Sequence, residues 1–154
     1  MLDVDGVMTS GELPFGPEGN VLKLFYVHDG VAIKAWQAQD GMVAIVSGRE
    51  SRAITIRARE FDIPWVAQGV QDKLSAYEHL CGEASVADSE VCVVGDDLPD
   101  LGPMRRCGYP VAVANARPDV KRAARFITQR RGGEGAVAEI IYRLLWHNAK
   151  CLAR

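Results

Sequence analysis

The sequence predicts an α/β fold: a doubly wound, three-layer sandwich around a mostly parallel sheet. Three observations carry this expectation. Residues 42–46, 91–94 and 111–113 are short apolar runs rich in β-branched residues, each soon followed by Gly, Asp or Asn, the pattern of strands covered on both faces. Stretches with helical spacing separate and follow them, and strands alternating with helices build parallel sheets through crossovers. At 154 residues, the chain suits one core, residues 1–154 forming a single domain.

The elements follow in order. Asp3-Val4-Asp5-Gly6 comes after Met1 and Leu2 alone, so the strand that delivers it is expected to be short or to lack its first residues. Residues 8–27 break the alternation. Leu13-Pro14-Phe15, the turn Gly16-Pro17-Glu18-Gly19-Asn20 and the run from Val21 through Lys23 to Val27 spell a β-hairpin flap inserted after the first strand. Residues 30–40, with Val31, Ile33, Ala35 and Trp36, read as a helix closed by Asp40-Gly41. Residues 51–61 read as a second helix, stopped before Ile63-Pro64, and residues 72–80 as a third. In the C-terminal segment 132–154, Val137, Ile140, Ile141, Leu144 and Leu145 fall on one helical face, so residues 136–147 form an amphipathic helix docked on the core.

Composition excludes several classes. Eighteen basic and 20 acidic residues give a net charge of −2, with 25% charged and 48% hydrophobic residues, which is ordinary for a soluble globular domain. Nucleic-acid binders carry a basic balance or stripe; Arg125, Arg130 and Arg131 form the densest basic group and read as a solvated turn. No apolar stretch approaches the roughly 18 residues of a membrane span. Cys81, Cys92, Cys107 and Cys151 are scattered, without a C-x-x-C pair or a nearby His at ligand spacing, against a zinc site or a disulfide framework and in favour of a reducing cytoplasm.

In open α/β sheets ligands bind beyond the carboxyl ends of the strands. The residues there are Asp3-Val4-Asp5-Gly6, Ser47-Gly48-Arg49 and Gly95-Asp96-Asp97-Leu98-Pro99-Asp100, with Gln71-Asp72-Lys73 opening a helix between the last two. Acids crowded on one rim repel each other unless a counter-charge joins them. Oxygen donors suit Mg²⁺ rather than zinc. With a phosphate ester as ligand, the Ser47 hydroxyl and Gly48 amide donate to its oxygens, Lys73 neutralises charge, and positioning with charge stabilisation accounts for most of the chemistry.

This ordered set, D-x-D-G-V, a strand ending in S-G, a lone Lys and a strand ending in G-D-D-x-x-D, resembles the haloacid dehalogenase superfamily of phosphohydrolases, with its Rossmann-like fold. Together with the hairpin, His28-Asp29-Gly30, Gln68-Gly69 and Gly132-Gly133-Glu134-Gly135-Ala136-Val137, it is similar to the small branch that lacks a cap domain. That branch includes phosphatases of 3-deoxy-D-manno-octulosonate 8-phosphate and of the nine-carbon KDN 9-phosphate. The resemblance spans essentially the whole chain.

It implies a Mg²⁺-dependent phosphatase for a keto-deoxy sugar-acid phosphate, the eight-carbon ester first and the nine-carbon ester as alternative. Asp3 matches the nucleophile that becomes an aspartyl-phosphate, Asp5 the general acid and base, Ser47 the phosphate-binding hydroxyl and Lys73 the lysine that holds nucleophile and phosphate together. Metal ligands are expected from Asp3, the carbonyl of Asp5, and Asp96, with Asp97 and Asp100 orienting waters or Lys73. Gly48, Arg49, Asp29 and Glu134 are the expected substrate contacts, Asp29 being as good a candidate for a helix cap. Arg49 matches the octulosonate enzymes, whereas Glu134 and Ala138 depart from their G-G-R-G-A-V-R-E segment, Glu134 matching the nine-carbon type. The branch also implies a homotetramer, with the flap and the Gly-rich loop at subunit contacts. Two rivals from other classes are a phospho-receiver module, disfavoured because D-x-D precedes the lysine here, and a non-catalytic assembly domain, disfavoured because Asp3, Asp5, Lys73 and Asp96 are all present.

Overall fold

The computed structural model describes residues 1–18 and 22–152, with the backbone alone for 148–152. The expected turn residues Gly19 and Asn20, the strand residue Val21 and the side chain of Cys151 lie outside the described residues. Helices are α1 (Val27–Gln37), α2 (Arg52–Glu60), α3 (Lys73–Ala84), α4 (Leu101–Arg106), α5 (Pro118–Ala123) and α6 (Ala136–Leu152). Strands are β1 (Ala44–Val46), β2 (Trp65–Ala67), β3 (Cys92–Gly95), β4 (Tyr109–Ala112) and β5 (Phe126–Ile127).

Parallel pairing joins β1 to β2, β3 to β4 and β4 to β5. The seam between the two groups is Leu2, which bridges Ile45 on one side and Val94 on the other, both parallel. Its amide donates to Ala44 (2.8 Å), its carbonyl accepts from Val46 (3.0 Å), and the Asp3 amide donates to Val94 (3.2 Å). The sheet order is therefore β2–β1–Leu2–β3–β4–β5, winding outward in both directions from the first strand. The expected short central strand is a single bridged residue, and Asp3 emerges from it at the point where the winding reverses, where such folds bind ligands.

Helices pack in groups, α1 against α6 and α3 and α5 each against α4. Val4, Val7, Ile33, Ile45, Ile54, Tyr77, Val93, Val111 and Ile140 are fully buried between layers. Local chemistry sets the helix starts: Ser51 Oγ accepts from the Ala53 amide (3.3 Å) and Asp72 Oδ1 from the Leu74 amide (3.0 Å), each satisfying a donor with no partner inside the helix.

Three details differ from the sequence reading. α1 starts at Val27 rather than 30, so His28 and Asp29 lie inside its first turn instead of ahead of it. The flap folds back with the Leu22 amide on the Pro14 carbonyl (3.3 Å), but its described residues carry no regular ladder. β2, β5, α4 and α5 were not anticipated, because two- to six-residue elements are too short for periodicity to register.

Candidate active site

Past Asp3 the chain turns at once. Val4–Met8 forms a wide turn closed by the Thr9 amide on the Val4 carbonyl (3.0 Å), with Gly6 at φ 103°, a conformation that favours glycine. A β-carbon there would also run into the carboxylate of Asp96, so glycine lets the first and third strand ends touch. The Gly-rich loop closes over the same turn. A β-carbon at Gly132 would strike the Gly6 carbonyl, and Asn115 links the two segments, its Nδ2 donating to Gly6 O (2.9 Å) and its Oδ1 accepting from the Gly132 amide (2.7 Å).

The centre is a buried lysine between two acids. Lys73 Nζ donates to Asp3 Oδ1 (2.5 Å) and Asp100 Oδ1 (2.7 Å), all three side chains being under a tenth exposed. Asp100 Oδ2 accepts from the Asp96 and Asp97 amides (3.0 and 3.2 Å), which fixes the acidic loop. Asp3, Asp96 and Asp100 each bring a carboxylate oxygen within 4.8 Å of the others. Burial pushes Asp3 up to about 6 despite the opposing charge of Lys73. Burial, then the charges of Asp3, Asp100 and Asp97, pushes Asp96 up to about 8. Burial would lower Lys73, but the charges of Asp3 and Asp100 prevail and raise it. Three acids to one cation leave the cluster short of positive charge, and the buried Asp96 Oδ1 has no hydrogen-bond partner.

Other expected residues fall in several places. Ser47 is buried at the end of β1, its Oγ accepting from the Arg49 amide (3.2 Å), while Gly48 and Arg49 are exposed just beyond it. Asp5 pairs its carboxylate with Lys23 of the flap, and its side chain is not among the three clustered acids. Asp97 is also outside the cluster, because it accepts from the Leu98 amide (2.7 Å) and lies 3.4 Å from Arg117. Asp100, expected only to orient neighbours, stands within the cluster. Glu134 is exposed and lines a separate surface groove of about 650 Å³ with Tyr26, His28, Arg130 and Arg143.

Asp29 takes the capping role. It is buried in α1, and its Oδ1 accepts from the Ala138 amide in the first turn of α6 (2.8 Å), where an acid also suits the helix dipole. Its Oδ2 is unpartnered, and burial pushes its pKa up to about 6. A raised carboxyl value means that the folded state holds the proton more tightly than the unfolded chain, so this contribution to stability falls as pH rises from about 4 to about 6. Asp29→Asn keeps the acceptor and removes the charge. It is expected to gain on the order of 1–2 kcal/mol at about pH 7 and little below about pH 4, in urea unfolding at both. Equal or lower stability at neutral pH would refute this.

Lys23 and Asn115 were not singled out from sequence. Asn115 lies just past β4, where the strand-end rule applies; Lys23 interrupts the apolar alternation of the flap.

Known proteins resemble this chain in sequence and fold. Residues 63–141 match the haloacid dehalogenase-like hydrolase family. The 3-deoxy-D-manno-octulosonate 8-phosphate phosphatase of Yersinia pestis is 40% identical over 138 residues, covering 90% of this chain and 74% of that protein. Two solved structures superpose closely. One is the 3-deoxy-D-manno-octulosonate 8-phosphate phosphatase of Moraxella catarrhalis in complex with magnesium ion, phosphate ion and KDO (TM-score 0.91, 35% identity, 94% of this chain and 83% of that one). The other is the cobalt-bound deoxy-D-mannose-octulosonate 8-phosphate phosphatase of Haemophilus influenzae (TM-score 0.92, 35% identity, 94% and 85%). With a family match over residues 63–141 and a relative 40% identical over 90% of the chain, the chain belongs to the haloacid dehalogenase-like hydrolases.

Proposed function

We propose that this chain is a Mg²⁺-dependent phosphatase that hydrolyses 3-deoxy-D-manno-octulosonate 8-phosphate through an aspartyl-phosphate on Asp3. The observation that carries the reading is the buried Lys73 held between Asp3 and Asp100 beside Asp96, at the end of the central strand. The donors fit a hard divalent cation: they are all oxygen, they are short of positive charge, and Asp96 Oδ1 is a buried acceptor without a donor. Asp3, Asp96 and the Asp5 carbonyl would hold it, since both oxygens of Asp100 are already engaged. When bound, Mg²⁺ supplies the charge that lets an anionic phosphate enter among carboxylates.

The side chains then divide the work. An oxygen of Asp3 forms a bond to phosphorus as the bond from phosphorus to the sugar oxygen breaks, and Asp5 gives that oxygen its proton. Lys73 keeps Asp3 oriented and offsets phosphate charge. The Ser47 hydroxyl and Gly48 amide donate to the phosphate oxygens. Asp5 next takes a proton from water, whose oxygen displaces Asp3 from phosphorus and frees inorganic phosphate. Arg49, exposed beyond Gly48, would meet the substrate's carboxylate or phosphate.

Glu134 lines a groove whose walls include none of the clustered acids, so within one chain it does not favour the nine-carbon ester. A non-catalytic assembly role is disfavoured by the complete lysine–carboxylate centre. We also read the chain as a cytoplasmic homotetramer. In support, Phe15, Leu22 and Leu24 of the flap are 67%, 62% and 73% exposed, which favours burial against other copies. Cys81, Cys92 and Cys107 are free thiols, as suits a reducing compartment. Among the described residues no helix is long and apolar enough to cross a membrane.

Turnover of the eight- and nine-carbon phosphates, measured side by side with Mg²⁺, tests the substrate. Faster turnover of the eight-carbon ester is expected, with loss of activity in excess chelator. Equal rates would overturn the assignment.

A further inference from the structure

Lys23 is a flap residue whose side chain is turned inward. Its neighbours Leu22 and Leu24 are exposed, whereas its own side chain is only 3% exposed and its ammonium is paired with Asp5 Oδ1. Burying a lysine is costly unless the charge is met by a partner, and the partner here is a carboxylate whose side chain is 20% exposed. Burial of a lysine, a long side chain rich in rotamers, ties a segment that shows Phe15, Leu22 and Leu24 to solvent onto the turn that carries the reacting groups.

An aspartate has two oxygens, and an acid–base residue needs just one of them to exchange a proton. Lys23 engages Oδ1 and so fixes the rotation of the carboxyl group, leaving Oδ2 as the oxygen not held by the flap. We propose that Lys23 is a positioning residue for proton transfer by Asp5: it aims Oδ2 at the bridging sugar oxygen and makes that step depend on a seated flap. This rests on the phosphatase reading above. The ammonium keeps all its protons; the proton that reaches the leaving oxygen comes from Asp5 Oδ2, as the bond from phosphorus to the sugar oxygen breaks.

Leaving groups of different basicity separate this role from the others. A sugar alkoxide needs a proton to depart, whereas p-nitrophenolate does not, and kcat/KM reports the steps through phosphoryl transfer to Asp3. For Lys23→Met with Mg²⁺, kcat on the eight-carbon ester is expected to fall about 10- to 100-fold, with KM changing less than about 3-fold. On p-nitrophenyl phosphate, kcat/KM should stay within about 3-fold of wild type. Lys23→Arg, which can still engage Oδ1, should recover most of the sugar-ester rate. Equal losses on both esters would reduce Lys23 to a fold-holding contact, a loss confined to KM would make it a substrate-binding cation, and no loss would remove it from the reaction; each overturns the proposal while leaving the phosphatase reading intact. A wild-type chain that hydrolyses neither ester would overturn both.

Discussion

Asp3→Asn is expected to lower phosphate release by about 10⁴-fold or more, while the variant stays folded and, without Mg²⁺, is at least as stable as the parent. The first half follows from chemistry, because an amide cannot attack phosphorus to give the acyl phosphate that water then opens. The second half follows from electrostatics. Asp3 is raised to about 6, with burial as the largest cause, so in the folded state its ionised form is disfavoured relative to the unfolded chain. Its contribution to stability therefore falls as pH rises from about 4 through about 6, and a neutral isostere escapes that loss at neutral pH. Asn still offers Lys73 an oxygen. Thermal unfolding in chelator together with phosphate release checks both halves: retained activity would remove Asp3 as nucleophile, and a variant that melts well below the parent would show that the Asp3–Lys73 pair holds the fold.

Lys73→Met should damage both stability and rate. It removes the cation bonded to Asp3 and Asp100 and leaves three acids within 4.8 Å of one another. Breaking a buried pair from one side strands the remaining charge, and a cost of about 3–5 kcal/mol is expected without metal. The deficit should shrink as pH falls, since protonated carboxyls no longer repel, and Mg²⁺ should restore part of it by replacing the missing charge. Turnover should stay at least about 10²-fold down even with Mg²⁺, because a cation that orients the nucleophile and meets the phosphate is gone. Urea unfolding with and without Mg²⁺, beside phosphate release, measures each effect. A cost below about 1 kcal/mol with a normal rate would show that Lys73 is peripheral.

Much of this was legible in the chain because strand ends announce themselves. The apolar runs before Ser47, Gly95 and Asn115 mark where the sheet delivers residues, and the strand-end rule points to Asp3, Ser47 and Asp96 on one rim, with Lys73 opening a helix beside them. What escaped were directions within that rim. Alternation along an extended chain would put Asp3 and Asp5 on one face; it foresees neither the turn that begins at Val4 nor a flap lysine 18 residues on that meets the second acid. Nor does spacing say which of Asp96, Asp97 and Asp100 turns inward: that depends on the short helical turn Leu98–Asp100, which folds Asp100 back onto Lys73 and leaves Asp97 as its cap. Asp29 was ambiguous for a similar reason, since its partner, the Ala138 amide, is remote in sequence and found by packing α1 on α6.

The most direct test of the account is to find the phosphoryl group on the protein. Wild-type enzyme mixed with the eight-carbon phosphate and Mg²⁺, quenched in acid during turnover and digested, should yield the peptide containing Asp3 with one phosphoryl group added, absent in Asp3→Asn. A phosphoryl group found on Ser47 instead, or full turnover with no modified peptide under any quench, would contradict it.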